Sequence, residues 1–158
     1  MAIPRSVLMV ELLMSADRVV TAAQQARPRA AGPDDDAWPV ATVVGHLSQV
    51  DVEVWIPRID LMVAARADAA PPLFTWWEPD AEATRLAFAG VDADEAGARL
   101  LASRTSLLHR LRELSEEDWA ARAEHDTFGP MDIEGLMLQV LAHDEEHRAS
   151  ILLGESEV

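Results

Sequence analysis

The 158-residue chain suits one domain, residues 1–158, and a hydrophobic content of 49% is enough for a core. It has no cysteine, which excludes disulfides, thiolate metal sites and cysteine nucleophiles, and no lysine, which excludes Schiff-base chemistry. A formal net charge of -15 repels nucleic acid and anionic lipid, and residues 1–29, interrupted by Glu11, Asp17 and Arg18, are neither signal peptide nor membrane span. The expectation is a cytoplasmic protein with no nucleic-acid or membrane partner.

Pro4 can occupy the first turn of a helix. From Ser6 the spacing of Val7, Leu8, Val10, Leu12, Met14, Val19 and Val20 predicts a helix to about Gln25. Arg27-Pro28-Arg29 and Gly32-Pro33 end it, and Asp34-Asp35-Asp36 forms a solvated turn that offers N-cap oxygens. Trp38-Pro39 opens a second helix that runs to about Ala67, with Val43, Leu47, Val50, Val54 and Leu61 as its buried stripe. Pro57, late in that helix, removes a backbone hydrogen bond and should bend it. His46 and Glu53 lie on one flank, seven residues apart and nearly eclipsed.

Residues 69–90 read as an ordered crossover loop, because Pro71-Pro72, Phe74, Trp76-Trp77 and Pro79 place large apolar groups there; a short helix over 81–88 fits within it. The adjacent tryptophans either wall a pocket or plug one end of the core. Asp92 with Glu95 caps a third helix, striped by Ala98, Leu101, Leu107, Leu108 and Leu111 and ending near Leu114. Ser115 with Asp118 repeats the signal for a short helix carrying Trp119, and residues 125–130 form a turn. Asp132 caps the last helix, which runs to Leu153 and stops at Gly154. No β-hairpin signal stands out. Four long helices with one long crossover loop give an all-α four-helix bundle.

His143 and His147 stand four apart at the edge of the last helix's apolar stripe, so their rings sit roughly 6 Å apart and can aim at one ion. The other histidine within a strongly apolar helical run is His46. It comes early in its helix while the pair comes late, so an antiparallel arrangement brings all three together. Three imidazoles around a divalent ion with one open side form a catalytic arrangement. The bland alternative is three unrelated histidines, each hydrogen-bonded or solvated. Residues 143–147 also match H-x-x-E-H, but no distant acid-bearing helix supplies the third ligand an inverted zincin needs, and no paired E-x-x-H motifs mark a di-iron bundle. His109 and His125 read as exposed or solvated.

Asp144 falls near the centre of the apolar face, where a carboxylate needs a partner. Arg104 and Arg58 both fall on apolar sides of their helices, so either can pair with it. Asp144 can also accept a proton from a ligand imidazole, and a structural ion pair is favoured over a catalytic acid. Glu53 is a candidate to orient His46 or act as general base; a plain salt-bridged or exposed glutamate is the alternative. Arg58 or Arg104, with the Trp76-Trp77 loop, is a candidate to bind a carboxylated substrate.

Gly45-His46-Leu47, Ser115-Glu116-Glu117-Asp118-Trp119, Phe128-Gly129-Pro130-Met131 and His143-Asp144-Glu145-Glu146-His147-Arg148 resemble the DinB/YfiT-like superfamily in order and spacing, over residues 5–154. The resemblance implies a four-helix bundle in which His46, His143 and His147 bind a divalent metal, nickel or zinc. It further implies a homodimer and a metal-dependent transferase that uses a low-molecular-weight thiol such as mycothiol or bacillithiol on a small-molecule substrate. A metal-dependent hydrolase and a non-catalytic metal-binding or stress-related interaction module are the alternatives. No thiol-recognising sequence accompanies the histidines.

Overall fold

The computed structural model describes residues 2–26 and 38–153. Arg27-Pro28-Arg29, Gly32-Pro33, the Asp34-Asp35-Asp36 run and Gly154 lie outside them. Helix α1 (Arg5–Gln25) has neither proline nor glycine to interrupt it, and Leu8, Leu12, Ala16, Val19 and Ala23 recur at helical spacing on its buried face. Its other face leaves Val7, Val10, Leu13 and Met14 exposed.

The second long helix is interrupted in a way the sequence pattern did not anticipate. Helix α2 (Val40–Val50) passes through a π-helical turn, Asp51–Trp55, into α3 (Ile56–Ala64). The Ile56 N–H donates to the Asp51 carbonyl five residues back. Pro57 has no N–H to give and its ring crowds the preceding turn, so widening that turn is one way to keep the helix going. A π turn holds one extra residue, which shifts the register of everything after it. Leu61, expected in the buried stripe, is 54% exposed, while Ile59 and Met62 are fully buried. The same slip explains Glu53. It is exposed rather than stacked over His46, so the flank that eclipsed positions 46 and 53 does not exist.

After α3 the chain crosses over. The crossover carries strand β1 (Leu73–Phe74) and the short helix α4 (Ala81–Ala87), which Asp80 caps by accepting from the Ala83 N–H. Helix α5 (Ala93–Arg112) starts at Asp92, whose side chain accepts from the Glu95 N–H, and a capping box between Ser115 and Asp118 starts α6 (Glu116–Trp119). Then comes a correction to the expected turn at 125–130. Strands β2 (Arg122–His125) and β3 (Gly129–Asp132) form an antiparallel hairpin, and β1 joins it in parallel, Phe74 opposite His125. Gly129 adopts a φ of 74°, which glycine takes without steric cost, and so completes the hairpin turn. Helix α7 (Ile133–Leu153) follows, its first turn tied by the Asp132 carboxylate to the Gly135 N–H.

The long helices are α1, α2–α3, α5 and α7, a four-helix bundle with a minor sheet at one end. Helix α1 packs on α5 and α7, and α2 packs on α5, whereas α2 and α7 meet only briefly. The α2–α7 seam is therefore the open one. The apolar core is divided. One cluster holds Leu12, Val50, Leu107 and Val140; the other holds Ala16, Leu47, Leu100 and Ile151. Between them along the four helices come Ser15, Asp51, Ser103, Arg104 and Asp144, all buried. No helix among the described residues is long and apolar enough to cross a membrane.

Candidate metal centre

Arg104 is the centre of the polar layer. Its five N–H donors all find acceptors: Nε and Nη2 on the two Asp51 oxygens at 3.2 Å, Nη1 and Nη2 on Asp144 at 2.7 and 3.1 Å, and Nη1 on the Leu12 carbonyl at 2.7 Å. The Ser15 and Ser103 hydroxyls donate to Asp144 and Asp51 at 2.8 and 2.9 Å. Arg104 and Asp51 are fully buried, and Asp144 nearly so. Burial pushes the Asp51 carboxyl up to about 6 against the pull of Arg104, since two carboxylates share one guanidinium. Burial opposes the Arg104 charge, but Asp51 and Asp144 outweigh it and hold its pKa above the ordinary arginine value. Arg104 is thus committed to structure and does not face a substrate. Arg58 does not pair with Asp144.

Next to Asp144 on α7, His143 and His147 turn to the open seam, where His46 meets them from α2. One nitrogen from each ring lies within 4.8 Å of the others. The Nε2 atoms of His143 and His147 are 3.2 Å apart. Two imidazole nitrogens bound to one tetrahedral zinc ion at ~2.0–2.1 Å stand about 3.3 Å apart. The ring centroids are 5.5, 5.2 and 4.6 Å from one another. Trp38 and Trp77 flank His46, with ring centroids 5.2 and 6.1 Å away, and Trp55 approaches His143 at 6.0 Å.

This setting keeps His46 and His143 neutral. Burial holds His46 down to about 3, with His147 adding to it. Burial does the same to His143, also about 3, aided by His147, His46 and Arg104. An imidazole must be unprotonated to bind a metal, and these two stay so at any ordinary pH. The Nδ1 atoms of His46 and His143 are buried without a hydrogen-bond partner. Orphaned buried groups cost ~1–3 kcal/mol each and are rare in native cores. Hydrogen bonding among the rings does not account for three histidines gathered in one place; a shared electrophile would. The donor set fits a divalent first-row ion.

His143 also forms part of the wall of a pocket of about 350 Å³. Trp55, Arg58, Trp76, Trp77, His125 and Phe128 line it from the π turn, α3, the crossover and the hairpin, and Gln139 and Glu146 line it from α7. The tryptophan pair therefore walls a pocket, while Trp77 also packs on the core. The sheet holds this wall: the Asp126 N–H donates to the Phe74 carbonyl at 2.9 Å, and the Trp76 N–H donates to Asp126 Oδ1 at 3.1 Å. A larger depression of about 710 Å³ lies elsewhere, bordered by Ala65, Arg66 and Glu117. It contains no histidine, and Arg66 is paired with Asp118.

His125 is a second correction. It is buried, not solvated, and its Nδ1 accepts from the Thr127 and Phe128 N–H groups at 3.0 and 3.4 Å. Burial, then Arg58, lowers its pKa. The alternation of Ala123 and His125 inward was readable but weak, because Ala123 is the one apolar member of 122–125. Gln139 had a clearer signal, since it lies four residues before His143 and so on the same helical face. His109 is exposed, as the sequence suggests. Glu53 lines neither the histidine cluster nor the pocket.

A four-helix bundle that gathers three histidines at one open seam defines a class of candidate metal-binding bundle proteins. The chain belongs to the DinB superfamily, which it matches over residues 12–151. Among solved structures it is similar to YfiT from Bacillus subtilis, described as a probable metal-dependent hydrolase with an unusual four-helix bundle topology. That likeness has a TM-score of 0.68 at 19% identity and covers 98% of this chain and 92% of YfiT. No curated protein matches the sequence.

Proposed function

We propose that this protein is a metal-dependent enzyme acting on a small molecule held in the α3–α7 pocket. The observation that carries the reading is the convergence of the His46, His143 and His147 nitrogens within 4.8 Å, with His143 forming part of the pocket wall. His46, His143 and His147 would hold a divalent ion, nickel or zinc, which would supply Lewis acidity and lower the pKa of a bound water or thiol. The chain's own part is to hold three imidazoles, to fix His143 beside the Arg104–Asp144 pair, and to present the substrate from an aromatic wall. Thiol transfer to an electrophile, with a low-molecular-weight thiol as co-substrate, is the reaction we favour, on the resemblance of the motifs. Hydrolysis is the second reading, favoured by the description of YfiT.

Elemental analysis of protein purified without a histidine tag tests the metal, with one equivalent expected for wild type and little for His147→Ala. Activity is read by screening thiols with electrophiles, and esters and amides alone. Turnover that His147→Ala abolishes supports an enzyme, and the panel that responds chooses between the two reactions. A full metal complement with neither activity would favour a non-catalytic module. Absence of metal from wild type, even after incubation with nickel or zinc, would overturn the reading. We further propose a homodimer through the exposed α1 face of Val7, Val10 and Met14; a monomeric mass in solution would refute it.

A further inference from the structure

The chain has 28 acidic residues against 13 basic ones, so an arginine has no shortage of partners. The other half-buried or buried arginines among the described residues do pair: Arg5, Arg85, Arg104, Arg110 and Arg148. Arg58 is the exception, with no carboxylate within ion-pairing distance among the described residues. Its Nη2 donates to the Thr75 carbonyl at 2.7 Å, and its guanidinium lies 4.9 Å from the Phe74 ring centroid and 5.9 Å from that of Trp55. One carbonyl and two ring faces fix the fork and leave donors unused. Burial lowers its pKa, against the pull of Asp126. Asp126 is already engaged, accepting from the Trp76 N–H and the Thr127 hydroxyl at 3.1 and 3.0 Å.

This guanidinium forms part of the wall of the 350 Å³ pocket that His143 also borders. Two rings on the same wall, Trp76 and Phe128, are 56% and 46% exposed and lie 6.1 Å apart, an apolar surface open to contact. An unpaired, pre-positioned fork beside bare aromatic faces matches a ligand with two parts. We infer that the pocket binds a planar apolar molecule carrying a carboxylate, with the carboxylate seated on Arg58 and the body against Trp76 and Phe128. The inference deepens the proposed function and rests on it for the reaction, though not for the binding. Glu146 shares the pocket wall but is exposed, so water and salt screen its repulsion of the ligand.

Calorimetric titration with cinnamate and its neutral isostere cinnamamide tests this, on protein as purified and again with EDTA. Wild type should prefer cinnamate by about tenfold or more, the worth of a charge-assisted fork, in both conditions. Arg58→Gln should bind the two alike, with cinnamamide affinity unchanged. Should that variant not fold, Arg58→Lys, which can still reach the Thr75 carbonyl but offers no fork, should lose severalfold of the preference. Trp76→Ala should weaken both ligands equally. No binding to wild type, no preference, or a preference that survives both Arg58 variants would overturn the inference. So would a preference abolished by EDTA, because the carboxylate would then be on the metal. Failure of the metal reading looks different: no metal is found, and the cinnamate preference stands.

Discussion

Asp144 faces Arg104 in a two-point pair, 2.7 and 3.1 Å, inside the bundle, while its sequence neighbour His143 faces the seam. One helix turn thus supplies both the anchor and a metal-ligand candidate. The anchor spans all the long helices, since Arg104 on α5 also holds Asp51 after α2 and the Leu12 carbonyl on α1.

Removing Arg104 should therefore unsettle the whole bundle. Arg104→Met leaves two buried carboxylates without a cation, a situation that costs ~3–5 kcal/mol. Urea denaturation should show that loss. Arg104→Lys should recover only part of it, because an ammonium cannot reach five acceptors. A loss below about 1 kcal/mol in the methionine variant would mean that the layer is not an anchor.

The pH dependence of the metal-free protein follows from three buried groups. His46 and His143 have folded pKa values near 3, below the unfolded value of 6.5. The unfolded chain binds more protons in that window, so stability rises with pH from about 3 to 6.5. Asp51 acts oppositely. Its folded pKa is about 6, above the unfolded 3.8, so its contribution is lost as pH rises through that interval. Two histidines against one aspartate give a net gain, on the order of 2–4 kcal/mol between pH 4.5 and 6.5. Denaturation midpoints in EDTA should climb over that range, and Asp51→Asn should climb more steeply.

Gly45 stands beside His46 with the Phe88 ring against its backbone, so an added Cβ would overlap that buried ring. Gly45→Ala should cost about 1–3 kcal/mol from overpacking. It should also weaken metal binding by shifting His46, whereas Gly90→Ala, strained at a φ of 78° but with open space around its Cβ, should cost stability and leave metal affinity unchanged.

Metal removal should lower the melting temperature. A ligand at 100 times its Kd adds ~2.7 kcal/mol to the folded state. For a chain of this size that is roughly 5–10 °C. Scanning calorimetry with and without EDTA should show this shift in wild type and none in His147→Ala.

The sequence by itself was enough for the four long helices, because Leu8, Leu12 and Val19, or Leu136 and Val140, repeat at a spacing that only a helix places on one face. Caps at Asp92, Ser115 and Asp132 were equally legible, since a cap is an interaction across three residues. So was the His143/His147 pair, which needs one turn of helix and nothing else. The hairpin at 122–132 was not, because its strands are short and only one of them alternates. Nor was the displacement of Glu53 and Leu61, which depends on where the chain absorbs the disruption at Pro57. Tertiary structure alone decided that Arg104 rather than Arg58 takes Asp144, that His125 is buried, and that His46 meets α7 at the open seam. Each of these depends on contacts between residues far apart in the chain, and periodicity encodes which way a side chain faces but not what it will find there.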